Sequence, residues 1–361
     1  DFNTKLKALE TATNKIERFK KSPVAPATSM NVVNIEDEES DYEIKLWFNP
    51  TDKTAYYYAE SEKVYLNTDS GLMFYREYNE QKIKNILEID LSSFDTSQVM
   101  SIDSMFSGML NLTALNLSIF DTSKTTDMYG MFYGMSSLTS LNLSNFNTSK
   151  VTNMKGMFYG MSSLTTLDLS NFDTSKVTDM KGMFANMSNL TTLNVSNFNT
   201  SGVTDMSYMF YGTSSLTTLD LSNFDTSKVT DMQFMFDNMS NLTTLNVSNF
   251  NTSKVTNMSN MFRDMSSLTS LNITNFDTSQ VTDMRYIFYL DDKNISKDKL
   301  EKIYVNNDFN TTNLTMSDQM FGNRKKLRGG NGSYLANPSM ADKTWLRVDR
   351  PGVQGYFTRK P

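Results

Sequence analysis

The sequence predicts an α/β repeat solenoid in which each 26-residue turn carries one short parallel strand and one short helical or 3₁₀ segment, with a cap at both ends. Three observations predict it. A Phe recurs at Phe94, Phe120, Phe146, Phe172, Phe198, Phe224, Phe250 and Phe276. A Met-Phe pair follows each, from Met105-Phe106 through Met183-Phe184 to Met261-Phe262, with Ile replacing Met in the last, Ile287-Phe288. The residue after the first Phe is always Asp or Asn, from Asp95 to Asp277.

In chain order, Thr4 to Lys20 places Leu6, Leu9, Ile16 and Phe19 on one helical face, which predicts a short amphipathic helix. Lys21 to Ser29 contains two prolines and reads as a linker, so residues 1–30 form a helix and linker. Residues 31–85 form a strand-rich N-terminal cap, on the aromatic and β-branched runs Glu43 to Phe48 and Thr54 to Leu66. Val64 to Leu66 and Met73-Phe74 read as a shortened first turn, because an uncapped end would expose the core and a strand edge.

Residues 86–293 hold eight regular repeats, and Leu164 to Leu190 shows one of them. Leu164, Leu167 and Leu169 alternate at their end as in a strand. Asn171 to Ser175 is a corner, built of side chains that bond their own backbone, with Phe172 beneath it. Val177, Met180, Met183, Phe184, Met187 and Leu190 then recur at helical or 3₁₀ spacing. No turn buries this stripe alone, so identical residues stack into ladders at about 4.8 Å per turn. Asp alternating with Asn limits repulsion along a stacked polar rank. Residues 294–361 are a looser last turn and a C-terminal cap, in which Trp345 to Phe357 covers the open end.

The chain has 361 residues, a formal net charge of −6 and a pI near 5.0. An acidic balance argues against nucleic acid and anionic membranes as partners. With no Cys and no His, thiol chemistry, disulfides, imidazole catalysis and the usual zinc sites are excluded. No apolar run is long enough to span a bilayer, so no direct membrane insertion is expected of this fragment. The chain opens at Asp1 without a signal sequence and reads as a mature chain or an excised piece.

The unit F-D/N-T-S-x-V-T-D/N-M-x-x-M-F, followed by S-L-T-x-L-x-L, resembles the repeat of BspA-like bacterial surface proteins, a leucine-rich-repeat-like class. The likeness runs from Ile86 to Phe321 and extends to the flanks at Trp47, Tyr56 to Tyr58, Gly329 to Gly332 and Trp345 to Asp349. The resemblance implies a non-catalytic, secreted or cell-wall-attached protein that adheres to a host extracellular matrix or cell-surface protein or to a glycan. The alternative is a rigid spacer holding another domain away from the cell wall. No sorting motif is visible, so anchorage rests on the resemblance alone.

A binding face belongs where the repeats differ. The positions around Met-Phe vary, and they supply the candidate partner-binding residues Tyr129, Tyr133, Tyr159, Tyr208, Tyr211, Phe234, Tyr286 and Tyr289, with Lys155, Lys181, Arg263 and Arg285 among them. The competing reading is that these rings lie flat over the next turn and complete its packing. Lys124, Lys150, Lys176, Lys228 and Lys254 are read as neutralising the Asp rank, and the Thr file from Thr96 to Thr278 as bonding the backbone at the corners. The many Met residues are read as adaptable core filler. No catalytic, cofactor-binding or metal-binding residue is expected, because the sequence offers ladders of like residues and no cluster of unlike ones.

Overall fold

The computed structural model describes residues 2–38, 40–76 and 86–360. Through the repeats, parallel bridges step turn by turn from Asp69 to Ser101, Asp127, Asn153, Asp179, Asp205, Asp231, Asn257, Asp283 and Met316. This unbroken sequence of neighbours, one per turn, fits a repeat solenoid.

The continuous ladder lies one segment away from the expected strand. Met180, Gly182, Phe184 and Asn186 donate their N–H groups to Asp205, Ser207, Met209 and Tyr211 of the next turn at 3.3, 2.9, 3.0 and 2.6 Å. Between them, Met183 and Ala185 bond back three residues, to Met180 and Gly182. The expected helical or 3₁₀ segment is therefore a run of tight turns. Its alternate amides are spent on the neighbouring turn, and left-handed residues, Gly182 at φ 60° and Asn186 at φ 56°, interrupt any helix. Around the expected strand, pairing is patchy: β8 (Thr166–Leu167) pairs β9 (Thr192–Leu193), and β10 (Ser270–Asn272) pairs β11 (Lys302–Val305).

The corner forms as its residues require. Asp173 accepts the N–H of Ser175 at 2.9 Å, and Asn199 does the same for Ser201 at 3.0 Å. Asp and Asn serve this bond equally, which explains their interchange; the rank bonds within each turn and not from turn to turn. Turns are joined instead by Thr174, whose hydroxyl donates to the Asn199 carbonyl at 2.9 Å and accepts the Asn199 N–H at 2.8 Å. Asn171 adds a clamp, donating to the carbonyls of Leu143 and Phe146 in the preceding turn. Inside, Met180, Met183, Phe184 and Met187 are fully buried. The Phe132, Phe158, Phe184 and Phe210 rings stack with centroids 5.8–5.9 Å apart.

The N-terminal segment departs from expectation. Helix α1 covers only Phe2–Ala8, while β1 (Arg18–Lys21) is a strand that pairs parallel to both β4 (Thr54–Ala59) and β6 (Glu88–Ile89). Phe19 drives this, because as a strand residue it reaches the core, packing on Tyr57 and Phe74. β2 (Val33–Asn34) and β3 (Ile44–Asn49) complete this sheet in the order β2-β3-β4-β1-β6. The first turn is shortened as read: β5 (Val64–Tyr65) pairs β7 (Phe94–Asp95), and Phe74 stacks on Phe106 at 5.8 Å. Residues 77–85, assigned from sequence to the cap, lie outside the described residues. At the far end β12 (Phe357–Arg359) pairs β11, and Tyr356 and Phe357 are buried over Phe321.

Candidate interaction surface

Three adjacent columns of side chains run along the ladder face. One reads Tyr129, Lys155, Lys181, Ser207, Gln233, Ser259, Arg285; the next Gly130, Gly156, Gly182, Tyr208, Phe234, Asn260, Tyr286; the third Tyr133, Tyr159, Ala185, Tyr211, Asp237, Arg263, Tyr289. All eight candidate rings stand in these columns. Tyr129 is 40% and Tyr286 37% exposed, and the other six are half-buried.

The rings gather in groups. Tyr133 and Tyr159 stack at 4.4 Å, with the Tyr159 hydroxyl accepting from Asn186 at 2.9 Å. Tyr208 and Phe234 stack at 4.6 Å, with Tyr211 edge-on to both. Tyr286 and Tyr289 meet edge to face at 5.1 Å. Cations lie against the groups: Lys155 over Tyr129, Lys181 over Tyr208 and Arg263 over Tyr289, at 5.6, 5.8 and 5.9 Å. Burial raises the pKa of Tyr208, Tyr211 and Tyr289, so these hydroxyls stay protonated donors.

The middle column is left-handed throughout. Gly130, Gly156 and Gly182 take φ of 54°, 60° and 60°, and Tyr208, Phe234 and Tyr286 keep the same backbone at 59°, 56° and 57°. A bulky residue there costs about 1–3 kcal/mol, and stacking returns about 0.5–1.5 kcal/mol per pair. The 26-residue period already sets Tyr208, Phe234 and Tyr286 in a column that three other turns fill with glycine; the backbone angles add that the rings keep the left-handed conformation of those glycines.

Asp237 escaped sequence reasoning, although an Asp in a column otherwise mostly Tyr was the available signal. It is 1% exposed, and burial pushes its carboxyl up to about 8 despite Arg263 at 3.5 Å. Arg263 also pairs Asp291 at 2.5 Å, and Asp264 accepts the Asp291 N–H at 2.6 Å and Asn294 at 3.1 Å. This knot fastens the 3₁₀ segment Asp292–Lys297 to the regular turns.

The ranks away from these columns are structural. Thr96, Thr122, Thr148 and Thr174 are buried with hydroxyls bonded between turns, and Lys176 and Lys228 help lower the pKa of Asp173 and Asp225, whose first cause is the adjacent Ser hydrogen bond. Away from the columns a shallow groove runs along Thr166, Asp168, Thr192, Asn194, Thr218 and Asp220. Among the described residues no helix is long and apolar enough to cross a membrane.

The family described as "Mycoplasma protein of unknown function, DUF285" matches residues 73–192, 160–246 and 235–339, together running from 73 to 339. The chain belongs to this family. Comparison with curated proteins and with solved structures returned no match.

Proposed function

We propose that this family member is a non-catalytic, secreted or surface-attached bacterial protein that binds a host protein through its aromatic columns, a BspA-like role on a leucine-rich-repeat-like scaffold. The observation that carries the reading is Tyr208, Phe234 and Tyr286 in left-handed backbone where Gly130, Gly156 and Gly182 stand in other turns. Strain of this kind is kept where a side chain is wanted for something other than local fold. Tyr with a neighbouring cation is the composition of interface anchors.

A protein is favoured over a glycan because sugars stack on ring faces, and the faces of Tyr133, Tyr159, Tyr208 and Phe234 are turned toward one another. The Tyr hydroxyls beside these rings suit a packed, hydrogen-bonding surface. The spacer reading draws on the unbroken ladder and core, which would make the array stiff.

The test is capture of the purified chain on immobilised extracellular matrix proteins, cell-surface proteins and glycans. The triple variant Tyr208→Gly, Phe234→Gly, Tyr286→Gly places there the residue that three other turns carry in the same backbone conformation, so it is expected to fold with a Tm within a few degrees. Saturable binding to a protein, weakened at least tenfold in the variant, is the expected outcome. Binding to a glycan alone, or indifference to the substitutions, overturns the protein-binding reading, and silence across the panel favours the spacer.

A further inference from the structure

A cleft of about 700 Å³ opens in the N-terminal cap, far in sequence from the aromatic columns. Its floor is apolar, with Phe19, Tyr57 and Phe94 buried beneath it, and its walls are Phe2, Ile35, Tyr42, Leu66 and Met73, each half-buried. That volume falls in the range that encloses a ligand or an inserted side-chain cluster. Its rim has the opposite character. Glu36, Asp37, Glu38, Asp41 and Asp69 contribute carboxylates, against one ammonium among the described lining residues, Lys5, which is turned to the Asn34 carbonyl at 2.7 Å.

The rim carboxylates are not all spent in holding the cap together. One oxygen of Glu36 accepts the Ile44 N–H at 2.8 Å and one of Asp69 the Gly71 N–H at 3.2 Å, leaving each a second oxygen. They also come from two separate segments, the loop between β2 and β3 and the first turn, so the negative charge is spread along the mouth. A single point cation answers one carboxylate; a row answers several cations in sequence. The edge strand β2 adjoins this loop, with β3 its one partner in the sheet.

We propose that this cleft binds a basic peptide segment of a partner protein, seating an apolar side chain on the aromatic floor with flanking Lys or Arg residues against the carboxylate rim. The apolar seat supplies the burial and the rim supplies orientation and attraction. The site is independent of the aromatic columns and gives the N-terminal cap a binding role beyond closing the stack.

The experiment titrates the full chain with a capped peptide Lys-Leu-Lys-Phe-Lys, with its counterpart Glu-Leu-Glu-Phe-Glu, and with n-hexylamine, by calorimetry and by methyl NMR of Met73. Saturable 1:1 binding of the Lys peptide is expected, shifting the Met73 methyl and weakening about tenfold between about 0.05 and 0.5 M NaCl as the rim charges are screened. Glu38→Lys with Asp41→Lys, both at exposed positions, is expected to weaken it at least tenfold with unchanged thermal unfolding. Met73→Ser, which removes an apolar wall residue without adding charge, should weaken it similarly. Equal binding of the Glu peptide, hexylamine binding as tightly as the peptide, no saturable binding, or indifference to both variants would each overturn the proposal.

Discussion

Thr174 shows how much one hydroxyl does in this array. It is 1% exposed and joins two turns by donating to and accepting from Asn199. Thr174→Val keeps the shape and strands the Asn199 N–H and C=O without that partner, so the variant is expected to lose about 1–3 kcal/mol in urea unfolding. A loss below about 0.5 kcal/mol would mean that water replaces the hydroxyl. The sequence pointed to a corner in which Thr bonds the backbone, and it does. That the backbone belongs to the next turn was not legible, because a single repeat read alone cannot separate a bond to itself from a bond to its copy.

At the scale of the element, the ladder segment was the hardest to read. Apolar residues at intervals of three fit a 3₁₀ turn and a string of tight turns equally, and Met180, Met183 and Phe184 are buried either way. Gly130, Gly156 and Gly182 at the centre of the stripe were the discriminating signal, since a helix interior has no use for a left-handed residue. The Asp237, Arg263, Asp264 and Asp291 knot brings a prediction of its own. Asp237 has its folded pKa raised to about 8, so between the ordinary carboxylate pKa and about 8 the folded state holds a proton that the unfolded state has released. Stability contributed at this site is greatest at low pH and falls as pH rises through that window, levelling above about 8. Asp264 is raised in the same sense, chiefly by burial, whereas Asp291, which burial alone would raise, is brought down on balance by its hydrogen bonds to Asp264 and Arg263 and opposes it. Asp237→Asn removes the charge and is expected to stabilise the chain by about 1–3 kcal/mol at pH 8, flattening its Tm against pH between 5 and 8. An unchanged slope would place the titration elsewhere.

For the whole molecule, the repeat of Phe and Met-Phe made the stacked architecture legible, since a period survives any error about what each segment of it does. The N-terminal segment was not legible for the opposite reason. Phe19 has no copy elsewhere, and its strand partners, Ala55 and Ile89, come from distant parts of the chain. The stack makes one further demand that compact folds do not. Among the described residues each regular turn bonds to the turns beside it, and Asp179 presents to Asp205 what Asp205 presents to Asp231. Excising residues 180–205 therefore joins Asp179 to Met206 in phase, keeps every ladder continuous and retains all eight aromatic residues of the columns. Such a chain is expected to unfold in a single transition within a few degrees of the parent, because a quasi-one-dimensional array loses one unit and one interface. Excising half that length shifts the register by half a turn, so that Met-Phe pairs such as Met157-Phe158 meet the Ser-Asn of a corner, such as Ser196-Asn197, and alternate amides face side chains; cooperative unfolding should disappear. Calorimetric scans of the two deletions measure the difference directly, and equal damage from both would refute nearest-neighbour stacking as the source of stability.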